Sequence, residues 1–185
     1  MIKEAMKEAG KHMQNALNAL EDDLTVIRTG RASPGLVEKL SVEYYGVMTP
    51  LIQLATVGVP EPRQLLIRPF DPKTVKDIER AILASDLGLT PNNDGKSIRL
   101  NLPQPTEERR HELVRIVHAR LEEARIQIRN VRRDTIKDMR EFEKEKLISK
   151  DDLEFGEKDL QELTDRMIEE VDDIGSKKEK EVMEV

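Results

Sequence analysis

The sequence predicts an α+β protein in which a long three-helix bundle carries a small inserted β/α/β domain, and three observations predict it. Apolar residues recur three and four apart towards both ends of the chain, the signature of amphipathic helices. Between them, residues 30–105 change to the alternation of strands. Charged residues make up 37% of the 185 and aromatics only 3%, with no Trp. That balance suits long solvated helices with aliphatic seams better than a compact enzyme core.

Ile2, Met6, Ala9, Met13, Ala16, Leu20, Leu24 and Ile27 form one stripe along a first helix, which stops at Thr29-Gly30. In the middle segment Leu40, Val42 and Tyr44 alternate, as do Ile98, Leu100 and Leu102, and Gln64 to Phe70 reads as a buried strand. Tyr45-Gly46 closes an early hairpin and Asn93-Asp94-Gly95 a later turn, where glycine tolerates positive φ. Asp71-Pro72 places an N-cap before a proline at the first helical position. Val75, Ile78 and Ile82 give the short helix that follows an apolar face, and Gly88 stops it.

Beyond Pro103 and Pro105, Thr106 with Glu107 and Glu108 caps a second long helix whose seam is Leu113, Val117, Leu121, Ala124, Ile128, Val131, Met139 and Phe142. Ser149 and Asp152 form a capping box for a third, with Leu153, Leu160, Leu163, Met167, Val171, Ile174 and Val182 as its seam. None of the three buries its stripe alone, so residues 1–29 and 106–185 are expected to pack as a bundle, with 30–105 inserted. The connections fall near 29–35 and 102–106. Gly30, Arg31, Ala32, Ser33 and Pro34 in the first, and Pro103, Gln104 and Pro105 in the second, are hinge candidates, though rigid loops fit the same residues equally well.

Several chemistries are excluded. With no Cys there is neither a disulfide framework nor a thiolate site. His12, His111 and His118 lie in no zinc motif, and no Gly-rich phosphate loop occurs; Thr29-Gly30-Arg31-Ala32-Ser33 lacks the required lysine spacing. The expectation is a protein that is not an enzyme, with no metal and no cofactor. No stretch reaches the length of a membrane span and the N-terminus has no continuous apolar run, so a cytoplasmic location with no membrane is expected.

The formal net charge of -6 disfavours nucleic acid as a whole, but charge is segregated. Arg109 to Arg133 holds 8 Arg against 3 Glu, whereas 134–185 holds 10 Lys or Arg against 19 Asp or Glu. On a helical wheel Arg115, His118, Arg125, Arg129, Arg132 and Arg133 form one stripe beside the apolar seam, roughly 27 Å long. Guanidinium groups make planar bidentate contacts with phosphate, which points to structured RNA. The residues leave a second reading open: a solvated face whose arginines pair with Glu122 or with acidic residues of the third helix. Arg28 and Arg110, near the two connections, either extend the stripe or serve as caps and pairing groups.

Three stretches carry a family resemblance: IRTGRASPGLVEKLSVEYYG at 27–46, residues 84–110 with ASDLGLTPNNDGKSIRLNLP and TEERR, and NVRRD at 130–134. The chain resembles the bacterial ribosome recycling factors over essentially its full length. The resemblance implies an L-shaped molecule that acts with elongation factor G and its GTP hydrolysis to split the post-termination ribosome, freeing mRNA and tRNA. It implies large-subunit RNA and proteins as partners, with Arg129, Arg132 and Arg133 as RNA contacts and Arg28, Arg31 and Arg110 after them. It places a hinge at TGRASP and Pro103; Pro105 stands where the family has leucine. A monomer fits this role, whereas a helical scaffold that self-associates through its seams is the competing reading.

Overall fold

The computed structural model describes residues 1–184; Val185, the last residue of the expected 106–185 segment, lies outside the described residues. The chain divides into two compact units, Met1–Arg28 with Glu107–Glu184, and Thr29–Thr106.

The first unit is three long helices: α1 (Ile2–Val26), then α3 (Glu107–Lys144) and α4 (Lys150–Met183), with α2 belonging to the other unit. Their seams meet in one core of Ala9, Met13, Leu17, Leu20, Leu24, Val117, Leu121, Ala124, Ile128, Leu160 and Val171. Thirty-eight residues make α3 about 57 Å long at 1.5 Å per residue. The helix α1 ends at Val26, short of the expected Thr29. The β-branched run Thr25-Val26-Ile27 is a poor helix former, and Ile27 already has an extended backbone at φ -70°, ψ 109°. The capping box of α4 is present: the Ser149 hydroxyl accepts from the Asp152 amide at 3.1 Å, and the Asp152 carboxylate accepts from the Ser149 amide at 3.0 Å.

The second unit holds a two-stranded hairpin of β1 (Ser41–Tyr44) and β2 (Val47–Pro50), and an antiparallel sheet in the order β3-β4-β6-β5. These are β3 (Ala55–Glu61), β4 (Gln64–Pro69), β5 (Pro91–Asn93) and β6 (Ile98–Asn101), while α2 (Val75–Ala84) connects β4 to β5. Val75, Ile78 and Ile82 of α2 share one core with Val42, Leu51, Leu65, Ile67, Ile98 and Leu100. Asp71 caps the turn before α2 by accepting from the Lys73 amide. Tyr45 and Gly46 both have positive φ at the hairpin tip.

Strands β3 and β5 have no counterpart in the sequence pattern, and β2 is marked only as the far arm of the hairpin closed at Tyr45-Gly46. Val47 and Met48 of β2 are exposed, so no apolar alternation marks it. The other two are the sheet's edges and carry Pro60 and Pro91, residues that edges tolerate because one side needs no ladder hydrogen bond.

Candidate nucleic-acid interface

The side chains of α3 are placed by its seam: Leu113, Val117, Leu121, Ala124 and Ile128 are buried, which turns the neighbouring arginine positions to the edge of the bundle. The structure divides the expected stripe in two. Towards the N-terminal half, cations meet carboxylates. His118 pairs with Glu179 of α4. Arg125, half-buried, donates to Asp172 of α4 at 2.5 Å and to Glu122 at 3.2 Å, and Arg129 donates to the other oxygen of Glu122 at 3.1 Å. Hydrogen bonds from Arg125 and then Arg129 hold the Glu122 carboxyl below its usual range, and the bond to Asp172 pushes Arg125 further up. Arg115 is exposed and has no ion pair among the described residues; for His118, Arg125 and Arg129 the reading of a paired, solvated face describes the molecule.

Further along α3 the balance reverses. Arg132 and Arg133 have no ion pair among the described residues, and the buried Nε of Arg132 finds no acceptor. They open onto a groove lined by Arg129, Arg132, Arg133, Lys137, Arg140 and Lys144, with Ile136 and the carboxylates Glu141 and Glu157 completing it. Among the described residues only Arg140 is engaged across it, at 2.9 Å from Glu157 of α4. Six cations against two carboxylates make this a locally basic groove on a chain whose total charge is -6. From Arg132 to Lys144 it runs about 18 Å along the helix, room for several phosphates.

Lys137, Arg140 and Lys144 are absent from the sequence-based site, because they stand in 134–185, a segment that is acidic as a block. Their signal was the spacing 129, 133, 137, 140, 144, four and three apart, which continues the arginine stripe by another three turns.

Of the remaining candidates, Arg28 is exposed and Arg110 donates to the carbonyl of Met183 at 2.8 Å. Within the second unit Gly30 has φ +82°, and a Cβ there would lie 2.9 Å from the Cδ of Pro105, so the two connections touch at a point where only glycine fits. The Arg31 amide reaches the Thr29 hydroxyl at 3.4 Å. Ala32 is buried in the core and donates its amide to the Pro62 carbonyl at 2.8 Å. Ser33 caps the turn Pro34–Leu36 through its carbonyl, while Pro103 and Gln104 are exposed.

The profile of the ribosome recycling factor family matches residues 20–183. The chain belongs to this family. Ribosome-recycling factors of Roseiflexus sp. (strain RS-1) and Chloroflexus aurantiacus are 54% and 52% identical to it over 185 residues, the full length of both partners in each case. A solution structure of the ribosome recycling factor superposes with TM-score 0.77 at 43% identity, covering 100% of this chain and 98% of that one. A second structure, of the T. thermophilus ribosome recycling factor and E. coli elongation factor G bound to the E. coli post-termination complex, matches with TM-score 0.65 and 44% identity over 99% of both chains. The α+β architecture is therefore that of ribosome recycling factors, and ribosome recycling in translation is the chain's function. Among the described residues no helix is long and apolar enough to cross a membrane.

Proposed function

We propose that the chain works with elongation factor G and GTP to split the post-termination ribosome into subunits, releasing mRNA and tRNA, by docking its helical bundle on large-subunit RNA. The observation that carries this is the basic groove of α3, where Arg132 and Arg133 stand without carboxylate partners among the described residues. Guanidinium forks free of internal anions exchange condensed counterions for phosphate, which drives binding. Arg129 contributes after release from Glu122; Arg28 and Arg110 extend the contact, and Arg125 braces α3 against α4.

The factor makes and breaks no bond; work comes from the GTPase, which pushes a chain fixed on RNA. The assembly that holds the T. thermophilus factor together with elongation factor G supports this partnership. Motion about the connections belongs to residues 28–31 and 103–106, since Ala32 is tied into its own unit by burial and a backbone hydrogen bond. A cytoplasmic monomer suits the role, because the apolar seams of all three helices are already covered within one bundle.

The test is subunit splitting followed by light scattering. Splitting is expected to require the chain, elongation factor G and GTP together, and Arg132→Ala is expected to slow it at limiting factor concentration. Splitting at an unchanged rate with Arg132→Ala, or without elongation factor G, would contradict the proposal.

A further inference from the structure

The arginine face carries its own anion. Glu122 sits one turn from Arg125 and two from Arg129 on α3, and its two oxygens accept from both guanidiniums, at 3.2 and 3.1 Å. All three side chains stand at the rim where α3 meets solvent, with Arg129 and Glu122 each about half exposed. The two arginines differ in what else they hold. Arg125 is half-buried and keeps Asp172 of α4 through two donors, Nε at 3.2 Å and Nη2 at 2.5 Å. Among the described residues Arg129 pairs with Glu122 alone, and it lines the basic groove together with Arg132 and Arg133.

We propose that Glu122 is an affinity-setting residue: its carboxylate holds Nη1 of Arg129 as an internal stand-in for phosphate, and RNA must displace it to engage that arginine through its full fork. The inference rests on the docking reading above and deepens it. A carboxylate and a phosphate offer the same pair of acceptor oxygens to a guanidinium fork, so they compete for one set of donors. The local cluster of Arg125, Arg129, Glu122 and Asp172 has two positive and two negative charges and is neutral. The field that attracts phosphate therefore peaks beyond it, at Arg132 and towards Lys144. Binding through Arg129 gains a phosphate contact but leaves Glu122 close to the backbone it has been displaced by, and that repulsion caps the net gain. A factor that must leave the ribosome after every round is served by a face held below its maximal affinity.

The experiment measures binding of fluorescently labelled full-length chain to isolated large ribosomal subunits between 50 and 200 mM salt, for the parent, Glu122→Gln, Glu123→Gln and Glu122→Gln in an Arg129→Ala background. Glu123 pairs with Arg120, off the groove, so its amide removes the same charge without freeing Arg129. Glu122→Gln is expected to bind more tightly at 50 mM salt. Its advantage should shrink by about threefold by 200 mM, the salt response of one added phosphate contact. Glu123→Gln should gain less, and the gain should vanish when Arg129 is absent. Equal gains for Glu122→Gln and Glu123→Gln, or a gain that survives Arg129→Ala, would overturn the proposal, since charge alone would then explain them. Weaker binding by Glu122→Gln would also overturn it and make the carboxylate a support for Arg129. If instead Arg132→Ala and Arg133→Ala bind with the parent's affinity and salt response, the docking reading itself fails, whatever Glu122→Gln does.

Discussion

Gly175→Ala perturbs a point where α4 packs on Leu121 of α3 too closely for an added Cβ. A Cβ on Gly175 would lie 3.0 Å from Cδ2 and 3.2 Å from Cγ of Leu121, with Cδ1 nearer still. Leu121 is 4% exposed and packed in the bundle core, so it has little room to yield. Two effects oppose each other. Alanine gains about 1 kcal/mol of helix propensity over glycine, while overpacking a filled core costs about 1–3 kcal/mol. Gly10→Ala in α1 supplies the control, because its Cβ would meet only Leu163 at an ordinary 3.8 Å. It should collect the propensity gain alone. The two variants are therefore expected to differ by about 2 kcal/mol, or roughly 4–8 °C in melting temperature at 2–4 °C per kcal/mol. Far-ultraviolet circular dichroism melts of both variants read this. Pairing Gly175→Ala with Leu121→Ala should cost less than the sum of the two changes, because each relieves the other. A Gly175→Ala chain as stable as Gly10→Ala would refute the reasoning. The contact also matters for function: Asp172 lies one turn before Gly175, so this spacing holds Asp172 against Arg125.

Two further outcomes are expected. Ser149→Ala removes the hydroxyl that accepts from the Asp152 amide and should cost about 1 kcal/mol in denaturant titrations, with Ser149→Thr retaining most of it. Asp94 accepts from the amides of Lys96 and Ser97 and from the Ser97 hydroxyl, which lowers its pKa from 3.8 to about 2. A depressed carboxyl stabilises the folded state above its unfolded pKa, so this contribution should be lost as pH falls from about 4 through 2. Nuclear magnetic resonance titration should place Asp94 well below its ordinary value of 3.8, and Asp94→Asn should flatten the acid limb of the second unit's stability.

The helices were legible because a long seam repeats its signal: every buried apolar residue of α3 from Leu113 to Ile128 stands at a position the three-and-four spacing marks. The capping box at Ser149 and the positive-φ turns at Tyr45-Gly46 and Gly95 were legible for a related reason, since each is a local hydrogen-bond or steric requirement. The apolar alternation of β2, β3 and β5 was not, because β2 exposes Val47 and Met48 and the edge strands β3 and β5 fully bury only their first residues, Ala55 and Pro91. The site was half legible. A wheel places Arg125 and Arg132 on one face, but it cannot show that Asp172, 47 residues away, reaches Arg125 while no carboxylate among the described residues pairs with Arg132. Counting charge in blocks also hid Lys137, Arg140 and Lys144, which belong by geometry to the basic groove and by sequence to an acidic stretch.

The central claim is that the unpaired cations of α3, and not the paired ones, dock on large-subunit RNA. The most direct measurement is the slope of log affinity against log salt for isolated large subunits, compared among the parent, Arg125→Ala and the double variant Arg132→Ala with Arg133→Ala. The double variant should flatten the slope by about 1.4–1.8, two contacts at 0.7–0.9 each, while Arg125→Ala leaves it close to the parent's. A parent-like slope for the double variant, or a flattening confined to Arg125→Ala, would contradict the account.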